Sequence, residues 1–122
     1  MNIFNGTPHA INVVEGASFQ PAIRKFTGGE VVLSIPPSGT MLNAKIITMD
    51  DAPVGDIPIF KKSIEGFDPL PDGYDIYIVS ALYASALLKS GADASKVYTV
   101  ADPVYSNDGS AIIGCRGLCP AF

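Results

Sequence analysis

The sequence predicts a single small α+β domain, a mostly antiparallel or mixed β-sheet with one principal helix at about residues 81–90. Three observations carry that prediction. Ten prolines and twelve glycines divide the 122 residues into short segments, a pattern that suits strands and turns. The run from Tyr74 to Gly91 changes character midway: a β-branched and aromatic stretch ending at Ser80 passes into an Ala- and Leu-rich stretch closed by Gly91. Finally, Ser106 to Ser110 reads Ser-Asn-Asp-Gly-Ser between two apolar runs, which is hairpin chemistry because Asn, Asp and Gly tolerate left-handed backbone.

The elements follow in order. Asn2 to Phe4 reads as an edge strand and Asn5-Gly6 as a turn. Ala10 to Glu15 then reads as the neighbouring strand, interrupted from the first by Thr7-Pro8-His9. Glu30 to Ile35 is the next strand, stopped by Pro36-Pro37-Ser38-Gly39, where two residues cannot donate to a ladder. Ala44 to Met49 and Ile57 to Ile64 are further strands, separated by the turn-prone stretch Ala52 to Asp56. Gly66 to Gly73 is a loop leading to the strand at Asp75. Ser80 stands at the N-cap of the helix and Gly91 just beyond its end. Lys96 to Val100, Pro103 to Tyr105 and Ala111 to Cys115 complete the sheet. No repeat or linker divides the chain, so residues 1–122 form one domain.

At this length one core can bury roughly two-thirds of the unfolded surface without staples. Hydrophobic residues make up 48% and charged residues 16%, a balance that excludes disorder and leaves apolar surface for self-association, so a homo-oligomer is expected. A net charge of −4, with only Arg24-Lys25 and Lys61-Lys62 as adjacent basic pairs, argues against binding a nucleic acid polymer. A small anion needs only one or two placed cations and stays possible. No apolar run reaches the length of a membrane span and the first residues lack a basic, then apolar, leader, so the expectation is a cytoplasmic protein with no membrane partner. Cys115, Cys119 and His9 are too few for an ordinary four-ligand zinc site, so no metal and no cofactor are expected and the thiols read as free and structural.

Six residues are candidates for a ligand site, each with a bland alternative. His9 has the one side chain titrating near neutrality, held by the rigid Thr7-Pro8 junction; it contacts a ligand, or its turn is merely organised by local hydrogen bonds. Ser80 caps the helix, and the same helix N-terminus can receive an anion. A Ser80-His9-Asp102 triad is disfavoured because Val79-Ser80-Ala81 lacks the glycines of a nucleophile elbow, so no catalytic residue is assigned. Ser38 and Gly39 form either a small phosphate cradle or a structural turn. Arg116 follows an apolar strand and either pairs with a carboxylate such as Asp102 or Asp75 or points at a ligand phosphate or carboxylate. Tyr77, like the other tyrosines, stacks on a purine or fills the core.

Taken together, Asn5-x-Thr7-Pro8-His9, Pro37-Ser38-Gly39, Tyr77 to Ser80 with its helix, and Ile113-Gly114-Cys115-Arg116-x-Leu118 resemble a family of small uncharacterised proteins of bacteriophages and prophage-bearing bacterial genomes. Against that pattern, Gly16 to Gly29 looks like an insertion. The resemblance implies a phage origin and action in the host cytoplasm, and it brings no catalytic roles with it. The function expected on that footing is non-enzymatic sequestration of a small anionic, nucleotide-derived signal of host immunity. A hydrolase of such a nucleotide with His9 as acid or base, and a structural or protein-interaction module, are the alternatives.

Overall fold

The computed structural model describes residues 1–121 and has the expected α+β composition, with one helix and ten strands among those residues. The strands are β1 (Ile3–Asn5), β2 (Ile11–Glu15), β3 (Ser18–Gln20), β4 (Lys25–Thr27), β5 (Glu30–Ile35), β6 (Ala44–Val54), β7 (Ile57–Phe67), β8 (Ile76–Ile78), β9 (Val97–Tyr105) and β10 (Ile112–Pro120). The helix α1 spans Ala81–Lys89, between β8 and β9. Eight strands form one mixed sheet with the path β1-β8-β9-β10-β2-β5, while β6 and β7 stand apart as a two-stranded arm.

β8, α1 and β9 make a parallel crossover, with Tyr77 opposite Val97 and Ile78 opposite Tyr98. β8 is continuously apolar because both of its faces are covered. Ile76 and Ile78 pack with Ile3, Ile11, Ile35, Cys115 and Leu118 on one side. Tyr77 and Val79 pack with Phe4, Tyr83, Ala84, Leu87 and Val97 under α1 on the other. Ser80 has extended backbone and its Oγ accepts from Tyr83 N, while Gly91 takes the left-handed conformation after Ser90 closes the helix.

In a flat sheet the five steps from β1 to β5 would separate those strands by about 24 Å. Instead, Asn5 Nδ2 donates to Ile35 O at 3.1 Å and Ser38 N donates to Asn5 O at 3.0 Å. The sheet therefore curls until its first and last strands meet at Asn5, which is why Ile35 and Ile78 share one core.

Several local expectations need correcting. β1 does not neighbour β2; it lies parallel to β8, and β2 pairs with β10 and β5. The reason is that the side chain of Asn5 consumes the polar groups of the turn at residues 7–9, so the chain crosses to the far end of the sheet rather than folding back. The segment between Gly16 and Gly29 holds a small hairpin, β3–β4, whose β4 adds to β9. β6 and β7 run on past Met49 and Ile64 to make eleven residues each, and a register shift between Asp51 and Val54 absorbs Pro53. β9 is one strand and not two, kinked where Asp102 takes φ 36°.

Candidate functional site

The amide of Asn5 organises the first motif. It is fully buried, its Nδ2 donates to His9 O and Ile35 O, and its Oδ1 accepts from Thr7 N and Thr7 Oγ1. The one hydrogen of the Thr7 hydroxyl has His9 O, at 3.0 Å, as its alternative acceptor, so the His9 backbone is held by Asn5 Nδ2 and Thr7 while the residue itself is exposed. Ser38 joins the same junction through its backbone, and its hydroxyl both donates to Thr40 O and accepts from Thr40 N, closing a turn in which Gly39 has φ 92°. His9, Ser38 and Gly39 thus come together around Asn5, exposed, with their hydrogen bonds directed to the turn. Gly6 completes the junction: a Cβ there would stand 2.9 Å from Leu42 Cγ and 3.3 Å from Ile78 O.

Ser80 lies two residues past Ile78, which sits opposite Asn5, so the N-terminus of α1 opens at the same end of the sheet as the Asn5 junction. Its hydroxyl is occupied as a cap at 3.2 Å from Tyr83 N. Tyr77 is buried and its hydroxyl donates to Pro71 O, so its ring is core and offers no face for stacking. Tyr83 beneath it donates to Asp68 O at 2.5 Å; burial, and then the nearby Asp68 charge, push its phenol above the usual value and keep it a donor.

Arg116 meets Asp102, one of its two expected carboxylates, at 3.1 Å on the surface. Its guanidinium also lies 4.4 Å from the centre of the Phe26 ring on β4. One residue earlier on β4, Lys25 Nζ sits 4.3 Å over the Tyr105 ring and donates to Gly109 O at 3.1 Å. Register explains the convergence. β9 carries β8 on one edge at Val97 and Tyr98 and β4 on that edge at Val104 and Tyr105, with Asp102 at the break between them. Two cations are thus each braced against an aromatic ring beyond the point where β8 leaves β9, and because Lys25 and Phe26 are successive residues of β4 the two pairs stand on opposite faces of the sheet. Phe26 and Lys25 were not singled out from the sequence; the local signal was the basic-basic-aromatic run Arg24-Lys25-Phe26, which only the β4–β9 pairing makes meaningful.

Cys115 is buried, its Sγ 3.5 Å from Asn12 O, and burial pushes its thiol up; Cys119 is free and exposed. Concave space lies away from the six candidates. A groove of about 660 Å³ runs between α1 and the lower half of the arm, lined by Ile46, Lys62, Ile64, Leu82, Ala86 and Lys89 among others. No helix among the described residues is long and apolar enough to cross a membrane. No protein-family model, curated protein or solved structure matches this chain.

Proposed function

We propose that this chain is a non-catalytic binding protein that sequesters a small anionic, nucleotide-derived ligand of host immunity. The observation that carries the reading is the ring-braced guanidinium of Arg116 on Phe26. A phosphate needs fixed positive charge, and a base needs an aromatic or guanidinium plane; the Arg116–Phe26 pair on the β4–β9–β10 surface offers both. The opening of α1 at Ser80 adds backbone donors at the same end of the sheet. His9, Ser38 and Gly39 serve the reading as the rim around the Asn5 junction, and Arg116 carries the main charge.

Isothermal titration with a panel of cyclic dinucleotides and ADP-ribose derivatives tests it, alongside native mass spectrometry for bound mass. One intact compound is expected to bind at fixed stoichiometry, and Arg116→Ala with Phe26→Ala together to weaken it by at least about tenfold, near 1.4 kcal/mol for one charge-assisted contact and its stacking plane. Unchanged affinity in that double variant would remove the site, and conversion of the compound to a new mass would replace binding by hydrolysis.

A further inference from the structure

The β6–β7 arm has no covering layer. Eleven-residue strands project about 37 Å, and an isolated two-stranded ribbon is at best marginally stable in water. Only its lower half is supported, where Ile46, Ile64 and Phe67 approach α1. Beyond that, Met49, Val54, Ile57 and Phe60 are 45–64% exposed.

The two halves of the arm carry opposite charge. Asp50, Asp51 and Asp56 lie toward the tip, whereas Lys62 and, on α1, Lys89 line the groove at the base. Among the described residues none of these five takes part in an ion pair. They also share orientation. Phe60, Lys62 and Ile64 alternate along β7 onto one face, and Asp50 and Ile46 lie opposite Phe60 and Ile64 on β6. The face that forms the groove at the base is thus the face that presents Phe60 and Asp50 at the tip.

We propose that two copies of this chain associate by reciprocal arm exchange, the tip of each arm seated in the groove between α1 and the arm base of the other. Antiparallel alignment about a twofold axis at mid-arm satisfies every feature at once. It sets the Asp50–Phe60 rung of one copy over the Thr48–Lys62 rung of the second, so that Asp50 meets Lys62, Phe60 packs at the groove wall that Lys62 and Leu82 line, and Asp56 at the turn faces the arm base, where Lys89 stands. A twofold contact must be self-complementary, and an arm that is acidic and apolar at one end and basic and grooved at the other meets that requirement. Two ribbon faces, each about 37 Å by 10 Å, bury at most about 700 Å² together, the size of a weak, reversible contact whose specificity comes from charge pairing.

Sedimentation velocity on the full chain tests this. The unaltered protein is expected to be dimeric. Asp50→Lys with Asp56→Lys, or Lys62→Asp with Lys89→Asp, should each yield monomer, and an equimolar mixture of the two charge-reversed chains should recover a heterodimer. All four positions are exposed, so circular dichroism should be unchanged. A monomer at about 100 µM, where even weak specific contacts are populated, overturns the proposal, as does a dimer indifferent to charge reversal. An independent readout uses a Cys119→Ser background: Phe60→Cys and Leu82→Cys chains, mixed and oxidised, should form a covalent heterodimer, and its absence equally overturns the exchange.

Discussion

Asn5 illustrates how one side chain can replace a length of ladder. It satisfies two carbonyls, one backbone N–H and one hydroxyl in a place where water does not reach. Asn5→Ala is expected to cost about 2–3 kcal/mol, because the buried Ile35 carbonyl loses its donor and Thr7 N loses its acceptor. Asn5→Asp retains the shape and the acceptor but abolishes both donors, and should be no better; urea unfolding of the two variants checks this. At the opposite extreme of burial, Asp108 accepts from Ser106 Oγ and from Ser110 through both Oγ and N. Those bonds, the Ser106 hydroxyl foremost, lower its pKa from 3.8 to about 2. A lowered carboxylate pKa stabilises the fold above the unfolded value and loses that contribution as pH falls through the folded one. Relative to Asp108→Asn, the unaltered protein should therefore melt slightly higher above about pH 4, and the difference should be lost as pH falls through about 2.

Among the elements, the arm is the most separable. At its base Asn43 N donates to Asp68 Oδ2 at 2.8 Å and Asp68 N donates to Asn43 O at 2.9 Å, so the two ends of the arm are already joined. Replacing residues 46–65 by an Asn-Gly turn keeps that clasp and keeps Phe67 against Tyr83. The shortened chain should fold, with native-like thermal unfolding, and sediment as a monomer; collapse of the fold on excision would show that the arm supports the body. The elements also show what the sequence could disclose. Ser80, Gly91 and the apolar run before them located α1 and β8 because capping and burial are local chemistry, and Asn107-Asp108-Gly109 located the β9–β10 turn for the same reason. β3 and β4 were not legible, since three residues each are too few for a period to emerge. The partner of β1 was not legible either, because a parallel neighbour 73 positions away leaves no mark nearby. At the candidate site, Arg116 and its Asp102 partner could be anticipated from the chemistry of a guanidinium at a strand end. Phe26 and Lys25 could not, because their meeting with β9 depends on a crossing of nearly 80 residues.

For the whole molecule the order of the sheet is also a schedule. β1 waits for β8 before it has a neighbour, and β2 takes its parallel partner only when Cys115 arrives opposite Val13. The body of the protein therefore closes late in synthesis, with contacts of long sequence separation that are slow to form. The arm obeys a different clock. Its strands are consecutive, joined at Gly55-Asp56, and need nothing downstream of Phe67 to pair. On a ribosome its two strands are complete while nearly half of the chain, the 55 residues after Phe67, is still to be made. The groove that receives a tip, however, is walled by α1, which is made after the arm, so the two acidic tips of nascent chains have nothing to enter and exchange joins chains whose bodies have already closed.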